Sequence, residues 1–155
     1  MRIRILAIGQ KMPDWVNQAW QDYARRISGD CQLSLLELPM QKRGKNQSVA
    51  QYRSKESQQI LDALRHDEML VALDVEGKAI STTQLAGLLT DWQMSGRHVA
   101  LAIGGPDGFD DAVRQRADVC LSLSKLTLPH PLVRVLVAEQ LYRAWSINHG
   151  HPYHR

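Results

Sequence analysis

Apolar residues in this chain fall into short runs, and stretches with helical periodicity separate them. Met69–Val75 and His98–Ile103 are apolar almost throughout, which is typical of strands buried on both faces of a parallel sheet. Shorter runs predict three more strands, at Arg2–Gly9, Gln32–Leu38 and Val119–Ser122. Because helical stretches lie between the strands, the pattern predicts an α/β fold with a mostly parallel sheet flanked by helices.

Helices are predicted between these strands, and two of them carry clear start signals. Pro13 and Asp14 suit the first turn of a helix. Ser81 and Gln84 have the spacing of a capping box. The predicted ranges are Pro13 to about Ile27, Val49 to about Arg65, Ser81 to Met94, and Asp110 to Ala117.

Two connecting segments receive their own predictions. Met40–Ser48 is polar and basic and has no periodicity, so we expect a long mobile loop there. Glu76 and Gly77 are expected to end the third strand in a turn.

The stretch Leu121–Ile147 carries much of the apolar content of the second half of the chain. Pro131 suits the first turn of a last helix that is apolar on most of its surface. A helix of that kind is buried on more than one side, so we expect one side to face the sheet and another to face a second subunit. On the same helix Glu139 and Arg143 have the i, i+4 order of an ion pair, which is the alternative to a catalytic role for either residue.

Length and composition fit one domain spanning residues 1–155. Hydrophobic residues make up 44% and charged residues 23%, which are globular values. No apolar run approaches the roughly 20 residues of a membrane span. Cys31 and Cys120 are isolated thiols without ligand spacing, which favours a reducing cytoplasm over a disulfide or zinc framework.

The net charge of +3 is weak, but basic residues cluster. Lys42, Arg43 and Lys45 lie in one loop, and the chain from Leu121 onward carries four Lys or Arg residues, of which Lys125 is the first, against one acid. Both clusters make RNA or another polyanion a plausible partner, with solvated surface as the alternative.

Parallel sheets bind ligands at the carboxyl ends of their strands, and three predicted loops qualify: those after Leu73, Ile103 and Ser122. The second contains the glycine-rich turn Gly104–Gly108, which lacks both the dinucleotide fingerprint and the phosphate-loop lysine and can equally be a plain turn. The third offers the side chains of Ser122, Ser124, Lys125 and Thr127, but no catalytic triad accompanies them. Their hydroxyls can instead satisfy the backbone of the loop.

The tail Asn148–Arg155 combines aromatic, imidazole and guanidinium groups. Tyr153 is suited to stack on a base and Arg155 to bind phosphate, although chain ends often fray. His149 and His151 do not have the spacing of a zinc motif, so we expect no metal site.

Several segments together resemble a known family. They are KMPDW at Lys11–Trp15, KRGKN at Lys42–Asn46, LAIGGPDG at Leu101–Gly108, and the block from Leu121 to Ile147 with the terminal HPYHR. Over the whole chain the sequence resembles the H-type methyltransferases of the large ribosomal subunit, which act on N3 of a pseudouridine and belong to the SPOUT class.

The resemblance implies a C-terminal trefoil knot, S-adenosylmethionine as cofactor, and a homodimer in which the tail of one subunit completes the site of the other. The implied substrate is pseudouridine 1915 of 23S rRNA in the intact ribosome. The implied cofactor contacts are Leu73, Gly104, Leu123, Ser124, Lys125, Leu126, Thr127 and Leu128.

The imide proton at N3 must leave before or during methyl transfer, so a proton acceptor or a nearby cation would assist. Among His130, Glu139, Tyr142, Tyr153, His154 and Arg155, we expect Arg155 and Tyr153 to hold the base. His130 or Glu139 would then be the proton acceptor. The rival hypotheses are methylation of another RNA, such as a tRNA ribose, and a non-catalytic ribosome-assembly factor. A flavodoxin-like nucleotide-binding module is disfavoured because no phosphate loop follows the first strand.

Overall fold

The computed structural model describes residues 1–155 and contains five strands, five α-helices and a short 3₁₀ helix. The strands are β1 (Arg2–Ile8), β2 (Gln32–Leu38), β3 (Glu68–Ala79), β4 (His98–Ile103) and β5 (Val119–Ser122). The helices are α1 (Asp14–Ala24), α2 (Val49–Ala63), α3 (Thr82–Ser95), α4 (Asp111–Arg116) and α5 (His130–Asn148), followed by the 3₁₀ turn Pro152–His154.

The strands form one parallel sheet in the order β2-β1-β4-β3-β5. Apolar residues on alternate sides of the strands build two cores. Ile5, Leu101 and Val71 belong to the core shared with α1, α3 and α5, whereas Leu6 and Ala72 belong to the core shared with α2 and α4. The prediction of a parallel sheet with helices on its faces is therefore confirmed.

The turn predicted at Glu76–Gly77 is wrong, because β3 continues to Ala79. Leu121 of β5 pairs with Leu73 and again with Lys78, so the residues between them form a bulge within one strand. A glycine inside a strand often marks such a bulge. The predicted strand thus ends at Val75, inside the bulge, and misses the last four residues of β3.

Helix ends agree with the predictions to within about three residues. The capping box of Ser81 is present: its side chain accepts a hydrogen bond from the Gln84 N–H at 3.1 Å, and the Gln84 side chain accepts one from the Ser81 N–H at 2.8 Å. The helix α1 stops at Ala24 rather than near Ile27. None of the helices is long and apolar enough to cross a membrane.

The helix α5 lies on the sheet face between α1 and α3. Val137, Ala138 and Leu141 are buried in the core there, as is the guanidinium group of Arg134. The prediction that one side of this helix faces the sheet is therefore confirmed, and Leu132, Val135 and Leu136 on another side are only half-buried.

The basic loop before α2 has no regular structure, as predicted, but contacts with the rest of the chain hold its centre in place. Arg43 forms ion pairs with Glu56 at 3.0 Å and with Asp107 at 2.6 Å. The Tyr52 hydroxyl donates a hydrogen bond to the Gly44 carbonyl at 2.6 Å. These contacts tie the loop to α2 and to the glycine-rich turn after β4.

Candidate cofactor and RNA site

A cavity of about 240 Å³ opens where the carboxyl ends of β3, β4 and β5 face α5. Leu73, Leu101 and Leu121 line it from the three strands. Thr82 at the start of α3 and Gln140 of α5 supply polar groups, and the Thr82 hydroxyl donates a hydrogen bond to Gln140 Oε1 at 2.7 Å. The cavity is thus mainly apolar with a few fixed polar groups, as small-molecule sites usually are.

A smaller cavity of about 100 Å³ adjoins the first and shares Leu73, Ser122 and Leu123 with it. Three more residues of the loop after β5 line it: Ser124, Leu126 and Leu128. Five of the eight residues expected to contact the cofactor therefore lie on one continuous surface. Leu73 reaches it from β3, and the other four from the loop.

Hydrogen bonds within the loop after β5 hold its backbone in shape. The Ser122 hydroxyl donates to the Ser124 carbonyl at 3.1 Å, and the Ser124 hydroxyl accepts from the Leu126 N–H at 2.9 Å. These two hydroxyls are therefore engaged with the loop itself. Lys125 and Thr127 are exposed and line neither cavity.

Gly104 begins the turn after β4 and also lies outside both cavity linings. A Cβ placed on Gly104 would approach the Gly108 backbone to 3.1–3.3 Å, so a side chain would crowd the turn. Gly105 forms a backbone bridge with Gly108, and a Cβ on Gly105 would lie 2.8 Å from Glu56 Oε1. Glycine is required here because backbone and a buried carboxylate approach closely.

The bulge beside the cavities is fixed by Asp74. Its carboxylate accepts from Arg114 Nε of α4 at 2.7 Å and from the Glu76 N–H at 3.0 Å. The Asp74 side chain is 7% exposed and Arg114 37%, so α4 is linked to the edge of the smaller cavity by a partly buried ion pair.

Next to the larger cavity, the Glu139 carboxylate accepts hydrogen bonds from three residues. Arg143 Nε donates at 2.8 Å and the Tyr153 hydroxyl at 3.2 Å, both to Oε1. Gln140 Nε2 donates to Oε2 at 2.7 Å, which links the cluster to the cavity wall. The predicted Glu139–Arg143 ion pair is confirmed, and the tail residue Tyr153 joins it.

The tail packs on its own subunit instead of fraying. The ring of Tyr153 lies 4.5 Å from the ring of Tyr142 and 5.0 Å from the Arg143 guanidinium. Burial raises the pKa of Tyr153 to about 12, and the neighbouring Tyr23 and Glu139 add to the effect. Tyr153 is therefore a neutral hydrogen-bond donor at neutral pH. Arg155 is exposed, and its side chain makes no hydrogen bond or ion pair within the chain.

His130 is not part of this cluster. Nine residues separate it from Glu139 on α5, which places the two on opposite sides of the helix, about 13 Å apart along its axis. Burial and the nearby Arg134 charge lower the pKa of His130, so its imidazole is neutral at neutral pH. The structure thus separates the two expected proton acceptors within one subunit.

Sequence reasoning missed the polar wall of the larger cavity, formed by Ser81, Thr82 and Gln140. Ser81 was recognised only as a helix cap. The available signal was that a capped helix start follows a buried strand. This signal points to the cavity wall only when it is known that β3 runs on to Ala79, close to the start of that helix.

Comparison with known proteins agrees with this architecture. Residues 1–154 match the family described as "Predicted SPOUT methyltransferase". The ribosomal RNA large subunit methyltransferase H of Thioalkalivibrio sulfidiphilus is 52% identical over 155 residues, covering 100% of this chain and 99% of that protein.

Two further relatives carry the same name. The protein from Acinetobacter baumannii (strain ATCC 17978) is 56% identical over 158 residues, and that from Dichelobacter nodosus is 54% identical over 155 residues. Each alignment covers 100% of this chain and 99% of the relative. End-to-end matches at this identity leave no part of the fold without a counterpart, and the chain therefore belongs to the SPOUT methyltransferase family, in the group of ribosomal RNA large subunit methyltransferase H proteins.

Proposed function

We propose that this chain methylates N3 of pseudouridine 1915 of 23S rRNA in the assembled ribosome, with S-adenosylmethionine as methyl donor. The observation that carries the proposal is the end-to-end match, above 50% identity, to ribosomal RNA large subunit methyltransferases. We also propose that residues 1–155 act as one methyltransferase domain. A ribosomal substrate supports a cytoplasmic location, which we propose as well.

SPOUT methyltransferases use S-adenosylmethionine, and membership of the family implies a C-terminal trefoil knot. When bound, this cofactor supplies an electrophilic methyl group on a sulfonium. The residues present fit it, because the two adjoining cavities of about 240 and 100 Å³ together reach the lower end of the size range of ligand pockets, roughly 300 Å³. Their apolar walls also suit an adenosine.

The cofactor residues divide by the support that each has. Leu73, Leu123, Ser124, Leu126 and Leu128 line the cavities and are proposed to enclose the cofactor. For Gly104, Lys125 and Thr127 the proposal rests on the family resemblance alone.

The tail cluster is proposed to hold the target base. Tyr153 stays protonated and can donate to a base carbonyl, while exposed Arg155 can stabilise charge that develops on the imide oxygens. Glu139 already accepts hydrogen bonds from Gln140, Arg143 and Tyr153, so both of its carboxylate oxygens are engaged within the chain. We therefore assign Glu139 to positioning Tyr153 rather than to taking the proton.

A homodimer would extend this site. Leu126 and Val75 beside the smaller cavity are 72% and 66% exposed, and Leu132, Val135 and Leu136 of α5 form a half-buried stripe that leads to Glu139. Exposed apolar groups next to a site are typical of subunit contacts. Through such a contact the tail of one subunit would complete the site of its partner.

Methylation of ribosomes from a strain that lacks this protein, with purified chain and labelled S-adenosylmethionine, tests the proposal. The label should map to N3 of the pseudouridine. A methyl group elsewhere would favour another RNA substrate, and failure to bind S-adenosylmethionine in calorimetry would favour an assembly factor.

The assignment of the tail is tested separately with Arg155→Ala. It should lower turnover ~10²-fold, as removal of a charge-stabilising group does. Cofactor affinity should not change. Arg25→Ala, at a residue with 76% side-chain exposure just after α1, is the matched control. Wild-type turnover of Arg155→Ala would remove Arg155 from the site.

A further inference from the structure

A second cleft, of about 430 Å³, lies at the carboxyl end of β1. The β1–α1 loop, the start of the β2–α2 loop and the first turn of α5 form its walls, and it shares no lining residue with the two cofactor cavities. Open parallel sheets bind ligands at the carboxyl ends of their strands, and this cleft lies at such an end.

Three polar side chains on this cleft have no partner in the chain. Gln10, Lys11 and His130 all line it, and none of their side chains takes part in a hydrogen bond or ion pair. Because its pKa is lowered, the neutral imidazole of His130 has one donor and one acceptor to offer. The cleft therefore presents an amide, an imidazole and an ammonium group that are all free for a ligand.

The backbone beneath the cleft is shaped to bring these groups together. Gly9 has φ +124°, and a Cβ there would lie 3.1 Å from both His130 Nε2 and Met12 Cε. Lys11 is the one non-glycine residue in the chain with positive φ, at 58°. Strained backbone of this kind is concentrated at functional sites.

Apolar and charged groups complete the surface. Met12 and Met40 line the cleft, and Met40 is 47% exposed, so flexible thioether side chains are available to pack on a flat ring. Lys42 and Lys45 follow Met40 in the chain, are exposed and form no ion pair.

Two acids near the cleft are paired within the chain, Glu37 with Arg134 at 2.6 Å and Glu56 with Arg43. Lys11 is the one charged side chain that lines the cleft.

We propose that this cleft binds one unstacked nucleotide of the RNA substrate, other than the target, with its base against Met12 and Met40, its edge on Gln10 and His130, and its phosphate on Lys11. Single-stranded RNA is recognised in this way, by packing on base faces and hydrogen bonds to base edges. The inference rests on the proposed rRNA methyltransferase function and gives His130 a role in substrate binding rather than proton transfer.

Steady-state methylation of ribosomes by His130→Ala and Lys11→Glu tests the subsite. Each variant should raise KM for ribosomes tenfold or more, leave kcat within about twofold, and leave affinity for S-adenosylmethionine unchanged in calorimetry. His66→Ala and Lys55→Glu make the same changes at exposed positions outside the cleft and should behave as wild type.

The outcomes separate this inference from the function on which it rests. If the wild type fails to methylate ribosomes, the proposed function fails. If the wild type is active and both variants keep its KM, the subsite is wrong. A fall in kcat of His130→Ala at unchanged KM would place His130 in the chemistry. A loss of dimer by Lys11→Glu in sedimentation would assign the cleft to a partner copy. Either result overturns the proposal. A crosslink to 23S rRNA from a photoreactive methionine analogue placed at Met40 would support it.

Discussion

Gly77 of β3 lies so close to Leu121 of β5 that a Cβ on the glycine would be 2.6 Å from the Leu121 carbonyl carbon. No real Cβ tolerates that approach to backbone, so any side chain would force the bulge away from β5. Because the cofactor cavities lie directly beyond this contact, Gly77→Ala should destabilise the fold by about 2 kcal/mol or more and weaken cofactor binding. Urea unfolding measures the loss of stability, and calorimetry measures the affinity for S-adenosylmethionine.

The matched control is Gly87→Ala in α3. A Cβ on Gly87 has nothing within 4 Å, and alanine is the better helix former, so this variant should gain about 0.5–1 kcal/mol. Equal stability of the two variants would show that the close approach at Gly77 does not constrain the fold.

Arg134 gives a second prediction, since its side chain is 1% exposed and joins β2 to the loop after β1. It donates to Glu37 Oε2 at 2.6 Å and to the Gly9 carbonyl at 2.6 Å. Arg134→Met should lower the free energy of unfolding by about 3 kcal/mol, because the Gly9 carbonyl and the Glu37 carboxylate lose their donor. Arg116→Met removes an exposed pair to Asp118 and should cost less than about 0.5 kcal/mol. Chemical denaturation of both would decide, and similar costs would contradict the bridging role.

Tyr153 gives a prediction about pH. Its folded pKa of about 12 lies above the ordinary value of 10.0, so folding favours the neutral phenol. The stability that Tyr153 contributes is therefore fully present below pH 10 and is lost as pH rises through 12. Absorbance of tyrosinate should show one late-titrating group in the wild type that is missing in Tyr153→Phe.

The same property predicts the rate profile. Since Tyr153 does not ionise near neutrality, Tyr153→Phe should lower turnover without shifting the pH dependence of methylation between about pH 6 and 9. A shifted profile would show that Tyr153 exchanges a proton during the reaction.

The basic loop gives a fourth prediction, because its three cations have different roles. Arg43 is held by Glu56, whose side chain is 1% exposed, so Arg43→Gln should destabilise the chain by about 2 kcal/mol. Lys42 and Lys45 are free. Reversing both to Glu should leave stability nearly unchanged and weaken ribosome binding, with a smaller salt dependence. Binding that is unaffected across a salt series would assign these lysines to solvated surface.

Local patterns predicted most of the fold. The strands β2, β4 and β5 were predicted with the bounds observed, because each is a continuous apolar or alternating run. The second half of β3 was missed, because Glu76 and Gly77 have turn-like chemistry and only the pairing of Lys78 and Ala79 with β5 returns the chain to the sheet after the bulge. Local sequence cannot report a partner that lies far along the chain.

The site was predicted only in part, because several of its contacts also join residues that are far apart in the sequence. Leu73 and the loop Leu123–Leu128 could be located from the carboxyl ends of strands and from family resemblance. The bond from Arg134 to Glu37 spans 97 residues, and no local pattern predicts it. Nor does spacing alone reveal that Arg43 is an anchor, since its sequence neighbours are solvated lysines.

The double pairing of Leu121 has a consequence for how the protein becomes active during synthesis. Both cavities need β5, the loop after it and α5, all of which are made last. A nascent chain that ends before Leu121 has four strands but no closed wall for a cofactor. Chains are made from the amino end, and contacts distant in sequence form slowly. Competence to bind cofactor should therefore arise only once α5 has been made and has packed on the sheet, in a single late event rather than by degrees.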